Sequence, residues 1–233
     1  MDRKYNYHAK AVAASGSLVR PLAIDLGELA KTELINGEGG YHSSRVEKHR
    51  VHEIFSIGAA YTQVTASEGP KGHFNTLAVA TIEDLNVLDI IKVERITARL
   101  VALHCKPDFQ KFDRPWIIPL GSTIENLRVG GRSYPLEHPP GFLHDFDKPH
   151  SYKAWKDTQE KYLTDGVTLE IPRFGRVTHC KLEAVPLKSP ASGRTHHIHR
   201  LAMLSLDMGS PIHGKMRFAA ADIDGSPPHQ DDL

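Results

Sequence analysis

Apolar and polar residues alternate along much of this chain with the period of a β-strand. Between Arg45 and Ser67, Val51, Glu53, Phe55 and Ile57 share one face and His52, Ile54 and Ser56 the other, while Tyr61 to Thr65 is a β-favouring mixture of Tyr, Thr and Val. This predicts two strands, or one bent strand. Ser67-Glu68-Gly69-Pro70-Lys71-Gly72 is a turn signal, and Phe74 to Ile82 reads as the returning arm of a hairpin. From Leu85 to Leu103, Ile96, Ala98, Leu100 and Ala102 fall on one face. Thr97, Arg99, Val101 and Leu103 fall on the other, so this strand is expected to be covered on parts of both.

The last third returns to the same period in Val167 to Ile171, Gly175 to Val185, His197 to Met208 and Lys215 to Ile223, separated by Gly, Pro and Ser clusters. Two segments break it. Tyr152, Trp155, Gln159 and Tyr162 recur every three or four residues between a capping Asp147 and Gly166, which predicts one clear helix at about 148–163. Leu26, Leu29, Ala30 and Leu34 form a weaker stripe ended by Asn36-Gly37, which predicts a short helix at about 25–35. The expected architecture is mainly β, an antiparallel sandwich or barrel, with a single domain over 1–223 and a polar, mobile tail over 224–233.

One heptapeptide recurs. Thr81-Ile82-Glu83-Asp84-Leu85-Asn86-Val87 matches Thr123-Ile124-Glu125-Asn126-Leu127-Arg128-Val129 at five of seven positions, with Asp exchanged for Asn at a sixth. In an unbroken strand Ile, Asp or Asn, and Asn or Arg would share one face, and Thr, Glu, Leu and Val the other. Lys106–Gly121 and Tyr134–Pro149 are rich in proline and aromatics and are expected to be long loops or edge segments, since proline cannot donate to a central ladder. Gly39 to Arg45 reads as a flexible lead into the first long strand.

Composition narrows the function classes. Lys+Arg number 29 and Asp+Glu 28, a net charge of +1, with no long block of one sign to track a phosphate backbone or an anionic bilayer. Nucleic acid and membrane insertion are therefore not expected. The segment from Met1 to Lys10 lacks the apolar stretch of a secretory leader, which favours a cytoplasmic chain over an exported one. Cys105 and Cys180 are too few for a disulfide framework, although they leave room for a single bridge.

The run from Thr81 to Val87, a long strand from Val93 to Ala102 and Gly121-Ser122-Thr123-Ile124-Glu125-Asn126-Leu127-Arg128-Val129-Gly130-Gly131 together resemble the bacterial surface proteins of the choice-of-anchor P family. The resemblance covers residues 80–131. It implies a β-rich domain displayed outside the cell with no catalytic residues to transfer.

Chemistry-bearing patterns are sparse. The chain has no Gly-rich phosphate loop, no His-Glu-x-x-His and no Gly-x-Ser-x-Gly elbow. Histidine is abundant, with 15 copies, densest at His196-His197-Ile198-His199. On a strand His197 and His199 share a face, so they are the candidate ligands for zinc or another divalent transition metal, with His179 or Asp145 as a third. The alternative is that both are ordinary strand residues. Adjacent pairs such as His104-Cys105, His179-Cys180 and the near pair His49 and His52 are expected to point to opposite faces and not to act together. Asp145 and Asp147 beside His144 and His150 could serve acid/base chemistry, or Asp147 could cap the helix that follows.

Three classes of function remain. The first is a non-enzymatic structural, assembly or binding domain that forms homo-oligomers, because the strands from Val51 to Val64 and Phe74 to Leu103 have few prolines to defend an edge. The second is a metal-binding module or metal-dependent enzyme using His197 and His199. The third is a glycan-binding sandwich using the loop aromatics Phe109, Phe112, Trp116 and Phe142.

Overall fold

In a computed structural model the described residues are 7–20, 23–36, 38–70, 73–104, 115–136, 163–188, 195–210 and 212–224. They form β1 (Tyr7–Arg20), β2 (Ile24–Leu29), β3 (Thr32–Asn36), β4 (Gly40–Val51), β5 (Phe55–Gly69), β6 (His73–Val87), β7 (Ile91–His104) and β8 (Trp116–Ile118). The remaining strands are β9 (Thr123–Glu125), β10 (Arg128–Val129), β11 (Arg132–Ser133), β12 (Val167–Ile171), β13 (Gly175–Lys188), β14 (Thr195–Met208) and β15 (His213–Asp224). No α-helix occurs among the described residues.

Two antiparallel sheets result. Sheet I has seven strands in the order β12-β13-β14-β15-β1-β2, with β3 also on β1. Sheet II has eight in the order β11-β10-β7-β6-β5-β4, with β8 and β9 also on β7. The layers meet where β1 and β15 pack on β5, β6 and β7, around Ile57, Ile82, Leu85, Ile96, Leu100 and Phe218. Each sheet buries one face and leaves one wet, which is the alternation the sequence carries. The expected mainly-β architecture is observed as a sandwich and not as a closed barrel.

The two predicted helices fare differently. Residues 148–163 lie outside the described residues apart from Leu163, which is not helical. The helix at 25–35 is replaced by β2 and β3, both paired with β1. Leu26, Ala30 and Leu34 are spaced by four, an interval that fits a period of two as well as 3.6, and Ala30, Thr32 and Leu34 are buried at alternate positions. Tyr7–Arg20 gave no strand signal because four of its buried positions, Ala9, Ala11, Ala13 and Ala14, are residues with little β preference. It is nevertheless a central strand of sheet I, between β15 and β2. Gly39 to Arg45, expected to be flexible, belongs mostly to the ordered edge strand β4.

A one-residue slip crosses both sheets. The inward positions advance by three residues instead of two once per strand: Ala11 to Ala14 in β1, Ile57 to Ala60 in β5, Ile82 to Leu85 in β6 and Val93 to Ile96 in β7. β14 and β15 repeat it at Leu201 to Leu204 and Phe218 to Ala221. Pairing aligns the slips, since Ala202 and Leu204 oppose Ala220 and Phe218, which in turn oppose Val12 and Ala14. Alternate strands turn the corner with a left-handed residue: Lys48, Asp84 and Asn126 in sheet II, and Ala30, Cys180 and Ala219 in sheet I, have φ between 46° and 57°. A slip in one strand alone would push its side chains onto the wrong face relative to its neighbours, so the strands must slip together.

The recurring heptapeptide is this corner. In each copy the fourth residue, Asp84 or Asn126, is left-handed, a conformation these two types tolerate better than most. Ile82, Leu85 and Val87 then all face the core, as do Ile124 and Leu127. The unbroken-strand assignment of faces is corrected accordingly. Both copies flank β7, where the Asn126 amide donates to the Glu94 carboxylate. Asp84→Val is expected to cost about 1–2 kcal/mol, because a β-branched residue is strained at positive φ, while Asp84→Gly stays within about 0.5 kcal/mol of the parent. Urea unfolding midpoints distinguish the two, and equal losses would count against a conformational cause.

Candidate functional site

Concave, polar surface is concentrated on the wet face of sheet II beside its edge strand. β4 pairs only with β5 among the described residues, and its first four residues, Gly40 to Ser43, are exposed. The stretch from Gly40 to Ser44 has neither proline nor charge. From Arg45 onward the strand is charged and kinked, with Arg45 paired to Glu47, Arg50 to Glu53, and the left-handed Lys48 between them. Charge and bulging defend an edge, so the open part is the N-terminal half of β4.

Behind that edge is an open groove of about 720 Å³. Cross-strand pairing places Arg45, Tyr61, Thr81 and Thr97 in one row, and Ser43, Gln63, Val79 and Arg99 in the next. The Arg45 guanidinium lies 4.9 Å from the centre of the Tyr61 ring, a cation–π contact. Thr81 and Thr97 hydroxyls lie 3.4 Å apart. Tyr41 is 61% exposed at the outer end. The groove thus offers donors, acceptors and two aromatic faces, without a nucleophile held by a base.

The strands named in the sequence as weakly defended are largely internal: β5, β6 and β7 are each paired on both sides. Undefended edge is instead carried by the first residues of β4, within the Gly39 to Arg45 stretch that was expected to be a flexible lead. The opposite edge of sheet II is broken into the short strands β8 to β11 around Pro119 and Gly121, which leaves little continuous ladder.

His197 and His199 lie on β14 opposite Pro186 and Ala184, both half-buried and in phase with the buried Leu201. His179 is five residues along β13 from Ala184, roughly 15 Å by strand rise, and cannot join them. Asp145, His144, Asp147 and His150 lie outside the described residues. Among the described residues no group of three or more His, Cys, Asp or Glu is placed to hold a metal ion. His179 and Cys180 are both buried, at 1% and 0%, because the left-handed Cys180 interrupts the alternation that was expected to separate them. Burial pushes the Cys180 thiol up to about 12, so it is held protonated. Cys105 lies outside the described residues.

His49 is half-buried with its ring 5.8 Å from Phe55, and His52 occupies the β4–β5 turn. Of the loop aromatics, Trp116 is buried in β8, and Phe109, Phe112 and Phe142 lie outside the described residues. No described helix is long and apolar enough to cross a membrane.

No curated protein and no solved structure matches this chain. A family match does exist, and it takes in β1 to β11, with both the edge strand and the groove, and stops within β12. Over residues 5–170 the chain belongs to the family described as Domain of unknown function (DUF8256).

Proposed function

We propose that this protein is a non-enzymatic assembly module that associates with further copies of itself along β4. The supporting observation is the edge itself, which is twelve residues long, paired on one side only among the described residues, and free of proline and charge from Gly40 to Ser44. An added strand along that edge gains main-chain hydrogen bonds, and its side chains lie beside Tyr41, Ser43 and Arg45, where the groove supplies selectivity. The resemblance of residues 80–131 to choice-of-anchor P proteins points the same way, towards a domain that works by contact.

Light scattering across a concentration series tests this. The parent protein is expected to be oligomeric at about 100 micromolar, where even a weak interface is populated. Ser44→Lys, which places a charge on the inward face of the edge strand, is expected to give a monomer with stability changed by no more than about 1 kcal/mol. A parent that is monomeric at that concentration removes the proposal.

A further inference from the structure

The wet face of sheet I is organised as rungs of charge. One rung runs Glu183, Arg200, Asp222, Lys10 and Glu33 across β13, β14, β15, β1 and β3, alternating in sign throughout. A second runs Glu170, Arg176, Asp207 and Lys215 across β12 to β15, again alternating. Opposite charges on facing residues stabilise a sheet, so these rungs are explained by pairing alone.

Between them lie a rung of Lys181, Ala202, Ala220 and Val12 and a second rung that is different. It reads Thr168, Thr178, Ser205, Arg217 and Ser15, with a hydroxyl on each side of one guanidinium. Arg217 is half-buried and has no ion pair or hydrogen bond among the described residues. The nearby carboxylates are already engaged. Asp222 accepts three hydrogen bonds from the Arg200 Nε and Nη2, at 2.8 to 3.2 Å. Glu183 lies 2.6 Å from Lys181, and Asp207 lies 3.0 Å from Arg176 and 3.7 Å from Lys215. Asp165 enters from beyond β13, since its neighbour Thr164 bridges to Leu182, and so its backbone stands three strand spacings, roughly 14 Å, from that of Arg217.

Ser15, Thr178, Ser205 and Arg217 line an open hollow of about 460 Å³ around Ala202, which Lys181, Lys215 and the carboxylates Asp165, Glu183 and Asp207 also border. We propose that this hollow is a binding site for an oxyanion group, a carboxylate, sulfate or phosphate carried by a small ligand, received by the Arg217 guanidinium and the Ser205 and Ser15 hydroxyls. A guanidinium presents a planar fork that matches two oxygens of such a group, and a hydroxyl on each side can donate to the rest. The cation is primed for it: burial and the neighbouring Arg200 charge hold its pKa below the usual arginine value, so an arriving anion relieves an existing penalty. The site lies on the sheet opposite the groove and does not depend on association through β4.

Equilibrium dialysis of the full chain against radiolabelled inorganic sulfate, with phosphate and acetate as competitors, tests the site directly. Saturable binding of one ion per chain is expected. Arg217→Gln should weaken it at least tenfold, and exposed Arg132→Gln on sheet II should leave it unchanged. Ser205→Asp, which supplies a built-in carboxylate beside Arg217, should abolish binding and raise the unfolding temperature, so the test survives if Arg217→Gln folds poorly. Absence of saturable binding in the parent, or equal binding by Arg217→Gln or Ser205→Asp, overturns the proposal.

Discussion

Phe218→Ala is expected to lower stability by about 3–5 kcal/mol and the unfolding temperature by roughly 10 °C. Phe218 is fully buried in β15, opposite Ala14 of β1 and Leu204 of β14. Its ring centre is 5.8 Å from that of Phe55 in β5, with the rings inclined at 71°, an edge-to-face contact that joins the two sheets. Truncation costs the transfer free energy of the ring plus that of the void. The void is hard to fill from β1, whose nearest inward positions, Ala11 and Ala14, are alanines with no rotamers with which to move in, as is Ala221 of β15. Phe55→Ala and the double variant complete a cycle, with an expected coupling of about 0.5–1.5 kcal/mol. A loss below about 1 kcal/mol in chemical unfolding of Phe218→Ala would show that the sheets do not pack through this ring.

The same alanines explain what the sequence conceals. Strands such as β6, β7 and β14 announce themselves through Val, Ile and Leu at alternate positions, and the mainly-β class follows from them. β1 carries small residues where β15 lies against it in the same sheet. A Cβ at Gly16 would stand 2.1 Å from the Lys215 carbonyl oxygen. Closeness of that kind is a property of the assembled sheet, and nothing local in Ala9 to Gly16 signals it. β1 and β15 are far apart in sequence and paired in the sheet, so the charge rungs on either side of Arg217 are invisible until Lys10 is known to face Asp222.

The transverse slip accounts for a second group of differences. Periodicity assumes that faces alternate without interruption, and here the assumption fails once in most long strands. It fails at the repeated heptapeptide, whose Asp and Asn were legible as an equivalence but not as a corner, and at His179-Cys180, where both residues are buried. The edge was misplaced for another reason. Gly40 to Ser44 is glycine- and serine-rich, which by composition suggests a lead-in, yet its backbone is held by the β5 ladder from Ala66 to Thr62. A segment with few apolar side chains can be ordered by main-chain pairing alone, and that leaves its other side open.

Acidification is expected to remove roughly 4–5 kcal/mol of stability through one residue, His104. It ends β7 on the core face, 3% exposed and opposite Phe74, and burial pushes its pKa from 6.5 down to about 3. The unfolded chain therefore takes up this proton near pH 6.5, while the folded chain refuses it until about pH 3. The stabilisation is complete above pH 6.5 and is lost progressively as the pH falls towards 3, at about 1.4 kcal/mol per pH unit between those limits. His104→Gln keeps a polar side chain but removes the titration. Its stability, measured by urea unfolding from pH 7 to pH 4, is expected to fall less steeply than that of the parent by about that slope. Parallel pH profiles for parent and variant would mean that His104 is charged, or solvated, within the fold.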